Sequence, residues 1–210
     1  LAHHQDKMTI YRSARKDDIK GCVDILLQGF HKQIDFFLGP RLAPELLTEF
    51  FEVFLKSERE GFIVSQTDEA VSGFILTLTR ANFFSVNLLF HLPVSLLKFL
   101  LGRYGISLQQ LSFSVSQSLS FRRRSSRFCS YSSARIVLLA VGEKCRKQGI
   151  GTGLLRSGLA YLKKKPVKQV KLEVRTDNPA ALHLYKKEGF IIRAEIPTAL
   201  GSSLIMTRPV

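Results

Sequence analysis

The sequence predicts an α/β fold: a mixed, mostly antiparallel sheet of six or seven strands, with helices on both sides and an insertion between the third and fourth strands. Three observations carry this expectation. Strand-like and helix-like apolar patterns alternate along the chain from Met8 onward. An unbroken apolar run, residues 135–141, leads through a glycine-rich turn into a helical pattern. A stretch of about fifty residues, 81–133, interrupts the alternation and is far longer than an ordinary connection.

Residues 9–14 (TIYRSA) read as a short strand, after which Asp17-Asp18 offers a helix start with acids at its positive end. Ile19, Val23, Ile25, Leu26 and Phe30 lie close to a helical period, and residues 44–56 repeat it through Leu46, Leu47, Phe50, Phe51, Phe54 and Leu55. Residues 61–67 and 71–79 flank Asp68-Glu69-Ala70 as the arms of a hairpin. The run 135–141 (RIVLLAV) is expected to be a central strand covered on both faces. Residues 149–165 form a turn entering a helix that Pro166 stops, and 168–175 form the next strand. Residues 179–188 are a short helix, with Asn178 as cap, Pro179 in its first turn and Gly189 past its end. Two further strands, 190–195 and 203–208, close the chain, which contains no internal repeat.

At 210 residues the chain is expected to be a single domain, 8–210, with 81–133 as an inserted elaboration. Hydrophobic content of 45% with 23% charged residues is ordinary globular usage and excludes wholesale disorder or a disulfide miniprotein. The net charge of +14 is unevenly placed. Residues 1–69 hold 9 basic and 12 acidic side chains, 70–142 hold 8 basic and no acidic ones, and 143–210 hold 14 basic and 5 acidic. The positive field therefore belongs to the last two-thirds, where it draws anions: cofactor phosphates, nucleic acid or an acidic membrane face. Cys22, Cys129 and Cys145 are an odd set without a C-x-x-C pair, so a reducing cytoplasm and no metal site are expected. No secretory signal is read at the start. Residues 1–7 read as a remnant or upstream readthrough outside the fold, and His3-His4 is not taken as a metal pair.

The insertion has two halves. Residues 81–102 are rich in Phe and Leu, whereas 11 of the 27 residues from 107 to 133 are serine, alongside the run Arg122-Arg123-Arg124. Residues 83–101 approach the length of a membrane span, but Asn87, His91, Pro93 and Lys98 interrupt them. A hydrophobic flap over the core is the preferred reading, an interfacial segment the other.

The chemistry concentrates in Arg146-x-x-Gly149-x-Gly151, which follows strand 135–141 and opens the next helix. Glycines there allow close backbone approach, and the free N–H groups of a helix start bind phosphate. The pattern is neither a P-loop, lacking Gly-Lys-Ser/Thr, nor a dinucleotide fingerprint, lacking G-x-G-x-x-G.

Val141, Arg146-x-x-Gly149-x-Gly151, Leu172-Glu-Val-Arg, Asn178-x-x-Ala181 and Leu184-Tyr185-x-x-x-Gly189-Phe190 together resemble the GNAT superfamily of N-acetyltransferases in order and spacing. The match is good over residues 135–193 and loose over 8–80. Residues 172–190 look most like enzymes that acetylate protein N-terminal alanines. The insertion 81–133 departs from the compact family pattern.

The resemblance implies a GNAT-like fold in which strands 135–141 and 168–175 splay apart and acetyl-coenzyme A sits between them as co-substrate. Backbone groups of Leu139, Ala140 and Val141 would then hold the pantetheine arm and polarise the thioester. The amides of Arg146, Lys147, Gln148, Gly149, Ile150, Gly151 and Thr152 would cradle the pyrophosphate. Arg146 is either a charge-assisted contact or a solvated loop arginine, Lys147 contributes field, and Asn178 is helix cap and cofactor contact. The family moves the acetyl group directly, which leaves Cys145 a bystander. An acceptor amine must lose a proton before attack and the departing thiolate must gain one. Tyr185, two helical turns beyond Asn178, is the candidate acid; a core tyrosine is the alternative. Glu173 is the candidate base, on the strand face shared with Lys171 and Arg175 and opposite Val170, Leu172 and Val174. Its alternative is a strand glutamate paired with Lys171 or Arg175. Glu143 or a water is the reserve base, and His183 reads as a surface histidine.

The expected function is transfer of an acetyl group to a primary amine: a protein N-terminus, an amino sugar or a small amine. The alternative is a basic module that binds nucleic acid or a membrane surface through a GNAT-like fold without catalysis. Arg122–Arg124, Arg127 and residues 163–165 supply its charge, although lysines at a helix C-terminus need no partner to explain them. A peripheral contact between the insertion and an anionic surface is compatible with either.

Overall fold

The computed structural model describes residues 8–38, 43–79, 134–198 and 201–210. Readings that fall on the insertion 81–133, including its Arg run, its apolar half and Cys129, and those on residues 1–7, lie outside the described residues. Seven strands form one sheet: β1 (Ile10–Ser13), β2 (Phe62–Thr67), β3 (Ala70–Leu78), β4 (Ala134–Val141), β5 (Gln169–Arg175), β6 (Ile191–Thr198) and β7 (Gly201–Pro209). Their order is β1-β2-β3-β4-β5-β7-β6, and every neighbouring pair is antiparallel except β4–β5. Helices α1 (Asp18–Leu38) and α2 (Ala43–Ser57) connect β1 to β2. Helix α3 (Ile150–Lys163) joins β4 to β5, and α4 (Pro179–Lys187) joins β5 to β6. This is the expected mixed sheet with helices on both faces.

Two hydrophobic cores explain the layering. On one face α1 and α2 set Ile19, Val23, Leu26, Leu47, Phe51 and Phe54 against Phe62, Val64, Phe74 and Leu76. The rings interlock: Phe51 stacks on Phe62 at 5.5 Å and meets Phe74 edge-on at 5.2 Å, arrangements that the ring quadrupole favours. On the other face α3 and α4 bury Leu154, Leu155, Leu159, Leu162 and Tyr185 against Ile75, Ile136, Leu172 and Met206. Strand alternation on β5 assigns Val170, Leu172 and Val174 to this second core, as the sequence predicts.

Several local features follow from particular residues. Asp68 and Glu69 both take positive φ (50° and 64°), so the β2–β3 hairpin closes through two left-handed residues, the twist a two-residue turn requires. Asp18 opens α1 and is nearly buried. Burial alone would raise its carboxyl, but two Arg12 hydrogen bonds (2.7 and 2.8 Å) and the Arg15 amide (2.7 Å) outweigh that and hold it below its ordinary value. At the other end of the sheet, Glu58 accepts from the Thr79 hydroxyl (2.9 Å) and from the Tyr161 hydroxyl, tying the end of β3 to the last turns of α3. Burial, followed by the Glu58 hydrogen bond, pushes the Tyr161 hydroxyl up.

Three expectations need correction. Helix α1 does not stop at Phe30 but kinks there (φ −130°, ψ 18°) and runs on to Leu38. Strand β6 begins at Ile191 and continues through Pro197 to Thr198. A proline is tolerated there because β6 is an edge strand. Central β4 is not covered throughout: Ala134, Ile136 and Ala140 are buried, whereas Val137, Leu138, Leu139 and Val141 are only half-buried. Its β5-facing edge opens partway along, and the side chains beside that opening lose cover. Among the described residues, no helix is long and apolar enough to cross a membrane.

Candidate active site

The β4–β5 ladder holds only two residue pairs, Ala134↔Val170 and Arg135↔Lys171. Beyond them the strands part, although β4 stays paired to β3 as far as Val141↔Gly73. Gly142 donates its amide to Ser72 O at 2.9 Å. Backbone groups alternate in direction along an antiparallel strand, so those of Leu139 and Val141 turn away from β3 and face the opening. A sheet interrupted in its middle thus presents polar backbone to a cleft rather than to another strand.

The mouth of this cleft is the turn into α3. Gly142 and a short 3-10 turn (Glu143–Cys145) lead to Lys147 and Gly149, both left-handed (φ 62° and 79°). Gly149 is the N-cap of α3 and supplies no side-chain cap, and the first turn carries no acid. The first closing bond runs from Gly153 N to Gly149 O at 3.0 Å. Among the described residues, the amides of 147–152 find no acceptor within the chain. Consecutive amides at a helix N-terminus, flanked by left-handed turns, form an anion cradle. The positive φ at Gly149 is the conformation in which any Cβ is strained.

The side chains of this turn serve the turn itself. Arg146 donates from Nε to Val141 O at 3.3 Å, and its Nη1 lies 3.6 Å from Glu143 Oε1. Its Nη2 lies against Gly29 of α1, 3.6 Å from where a Cβ would stand. The guanidinium is thus half-exposed and tied to the end of β4 and to Glu143. Gln148 braces the loop by donating to Lys144 O at 3.2 Å, Lys147 is exposed, and the Ile150 side chain is buried in the core. Glu143 is exposed beside Arg146.

Helix α4 closes one wall. The Asn178 carboxamide accepts from Ala181 N at 3.1 Å, and Pro179 fills the first turn, as the sequence predicts. A Cβ at Gly151 would stand 3.6 Å from Leu184, 3.7 Å from Val141 and 3.9 Å from Leu139, so α3, α4 and β4 converge at this point. One residue on, Tyr185 is buried with its ring edge-on to Phe190 at 5.7 Å. Among the described residues its hydroxyl makes no hydrogen bond, an uncommon state for a buried tyrosine. Burial pushes that hydroxyl up to about 12.

Glu173 stands on β5 just above the point where the strands part. Its Oε1 lies 3.5 Å from Arg135 Nη2 and 3.7 Å from Lys171 Nζ. Lys171 pairs with it as the sequence allows, but Arg175 does not: it is bound to Asp177. Arg135 is the residue that sequence reasoning missed. It lies on another strand, 38 positions away, and alternation within one strand cannot reveal a partner across a parallel ladder.

Residues 27–190 match the family described as acetyltransferase (GNAT) family. The chain belongs to the GNAT family. A 56-residue stretch is 45% identical to an N-alpha-acetyltransferase of Sulfurisphaera tokodaii, covering 26% of this chain and 34% of that protein. The chain spans about a third of the length of the curated relatives it matches. Among solved structures, Ard1 from Thermoplasma volcanium shares the GNAT fold with a TM-score of 0.61 at 22% identity, over 96% of this chain and 97% of that one. The structure of yncA from Salmonella typhimurium with its cofactor acetyl-CoA aligns with a TM-score of 0.60 at 13% identity, over 96% and 93%. Of the other residues singled out by sequence, His183 is exposed on α4, and Lys165 reaches Glu60 at 2.8 Å with its ammonium over the Tyr161 ring.

Proposed function

We propose that this GNAT chain transfers the acetyl group of acetyl-coenzyme A directly to a primary amine, with a protein N-terminus as the favoured acceptor. One observation carries the reading. Among the described residues the amides of 147–152 have no acceptor, and they stand at the mouth of a cleft whose wall is the outward-facing backbone of Leu139 and Val141. The favoured acceptor rests on the N-alpha-acetyltransferase stretch of 45% identity.

The residues fit the co-substrate chemically. The amide cradle suits a pyrophosphate, the open edge of β4 suits the amides of a pantetheine arm, and the buried hydroxyl of Tyr185 suits an atom supplied from outside the chain. When bound, acetyl-coenzyme A supplies an activated acetyl thioester. Backbone N–H groups of Leu139 and Val141 lie where they can polarise its carbonyl. Glu173 takes a proton from the acceptor ammonium, breaking an N–H bond and freeing the lone pair that forms the C–N bond. Tyr185 gives its hydroxyl proton to sulfur as the C–S bond breaks; the second N–H proton, made acidic by C–N bond formation, leaves to solvent, and solvent reprotonates Tyr185. A hydroxyl near 12 is a weaker acid than a thiol at ~8.5. Complete transfer ahead of bond cleavage is therefore unfavourable, and the proton moves as charge builds on sulfur. The same burial raises the proton affinity of the departing sulfur, which narrows the gap. Arg146 holds the end of β4 through Val141 O and adds a charge-assisted contact to the phosphates. Asn178 caps α4 and stands at the rim as a cofactor contact, and Glu143 is the reserve base.

The test is release of free thiol from acetyl-coenzyme A with N-terminal peptides, amino sugars and polyamines compared side by side. Turnover with none of them, despite cofactor binding, would count against the reading. The charge of +14 favours one further comparison. A basic module for nucleic acid would lose affinity steeply with salt, whereas thiol release should persist in moderate salt. The free thiols of Cys22 and Cys145 suit a reducing cytoplasm.

A further inference from the structure

We infer that Tyr11 is a positioning residue for the amide cradle at the start of α3, holding it in place beside the open edge of β4. The inference rests on the reading of that cradle as the seat of the acetyl-coenzyme A pyrophosphate. Tyr11, Ser65, Gly73 and Val141 are register neighbours across β1, β2, β3 and β4. Register neighbours share a face of the sheet. Here it is the face that α3 covers, since a Cβ at Gly73 would stand 3.0 Å from Leu154 and 3.1 Å from the Ser65 hydroxyl. With only the short Ser65 side chain and Gly73 next to it in that row, the Tyr11 ring reaches α3 at Gly153. A Cβ on Gly153 would overlap the Tyr11 hydroxyl and Cζ and stand 2.8 Å from Cε1. Glycine is a poor helix former, and its place inside α3 has a use: the space of its missing Cβ is the seat of the ring.

Gly151 and Gly153 are two residues apart, about 200° around the helix, so their contacts lie on opposite sides of one turn. Gly151 faces the cleft wall of Leu184, Val141 and Leu139, whereas Gly153 faces Tyr11. Beneath them, Ile150 and Leu154 are buried in the core. The core sets the height of α3 above the sheet. The ring on one side and the cleft wall on the other set where its first turn lies across the sheet. The Gly153 amide makes the first closing bond of the helix, to Gly149 O. A shift at Gly153 therefore moves the amides of 147–152 with it. Hydrogen bonds weaken steeply with misalignment, so that lateral position bears on how firmly the cradle holds an anion. Stability depends on the ring much less, because Tyr11 is 36% exposed and lies on an edge strand.

The experiment compares Tyr11→Ala, Tyr11→Phe, Gly153→Ala and the double variant Tyr11→Ala/Gly153→Ala with the parent chain. Thermal melts establish that each is folded, calorimetry gives acetyl-coenzyme A affinity, and hydrogen exchange follows the Gly153 amide without ligand. Tyr11→Ala should lose about tenfold in affinity, the worth of one hydrogen bond to a charged group. Its Gly153 amide should also exchange faster than the parent's. Tyr11→Phe keeps the ring and should match the parent in both. A methyl on Gly153 pushes the ring aside, so Gly153→Ala should lose about as much affinity as Tyr11→Ala. The double variant should lose no more than either alone, because both changes remove one contact. A folded Tyr11→Ala chain with the parent's affinity overturns the positioning role, whatever its melting temperature, as do losses that add in the double variant. A loss in Tyr11→Phe equal to that in Tyr11→Ala assigns the effect to the hydroxyl and overturns the role of the ring. A parent chain that binds no acetyl-coenzyme A overturns the cradle reading beneath the inference. If Tyr11→Ala does not fold, Gly153→Ala decides by itself, since alanine is the better helix former: lost affinity supports the role and parental affinity overturns it.

Discussion

Replacing Tyr185 by Phe separates what its hydroxyl does for the fold from what it does for the reaction. The hydroxyl is buried and makes no hydrogen bond among the described residues, so its removal breaks no bond and lifts a desolvation cost of about 1–3 kcal/mol. The variant should therefore be at least as stable as the parent at neutral pH. In alkali the gap should widen. The folded-state value near 12 lies above the ordinary 10.0, so stability is fully present below pH 10 and is lost as pH rises toward 12. At pH 11, one unit above the ordinary value, the loss is about 1.4 kcal/mol. That corresponds to roughly 3–6 °C in Tm for a domain of this size. Phe cannot ionise, so this increment should be missing from Tyr185→Phe melts followed by circular dichroism between pH 8 and 11. Turnover should fall by about 10²–10⁴-fold with cofactor affinity little changed. Parallel parent and variant curves across that range would refute the buried, unpartnered hydroxyl. An unchanged kcat would refute its role as proton donor and leave Tyr185 a packing residue.

Three further outcomes are expected. Gly151→Ala should fold with nearly unchanged Tm, because its Cβ meets Leu184, Val141 and Leu139 at ordinary contact distances. It should nonetheless lose at least about tenfold in acetyl-coenzyme A affinity by calorimetry, since that methyl enters the space between β4 and α4. Asp18→Asn should cost about 2–3 kcal/mol at neutral pH in urea unfolding. The Asp18 carboxyl is held low, so its contribution is present above its ordinary value and is lost as pH falls through the folded one. Parent and variant should converge in acid. Tyr161→Phe should cost about 1–2 kcal/mol by removing the bond to Glu58, with no change in kcat. A kcat effect would mean that the Glu58 cluster reaches the cleft.

The elements were legible where one residue type decides a local conformation. Asp68-Glu69 marks the hairpin, Asn178-Pro179 the start of α4, and Gly149 the turn into α3, because caps and left-handed turns are set by neighbours in sequence. Pairings across the sheet were not. Nothing within 135–141 discloses that β4 leaves β5 after two rungs; only the family resemblance suggested a splay. The kink at Phe30 is equally silent, since its apolar periodicity continues through the bend. For the cleft, the glycine turn could be read from spacing and Tyr185 was suggested by the family resemblance, whereas the Arg135 contact to Glu173 depends on a parallel register that no local pattern encodes. The direction of the Arg146 side chain likewise depends on α1, remote in sequence.

The two-rung β4–β5 ladder also changes how the middle of this sheet should behave in deuterated water. Central strands normally guard their amides until the whole domain opens, while edge strands exchange early. Here the amides of Leu139 and Val141, in the fourth of seven strands, face the cleft and should exchange like an edge, whereas Ala140, bonded toward β3, stays slow. A molecule seated in the cleft would act as a surrogate strand, slowing alternate residues of β4 and leaving their neighbours unchanged. An odd–even protection pattern along 138–141 would be the signature of a sheet finished by its ligand rather than by its own chain.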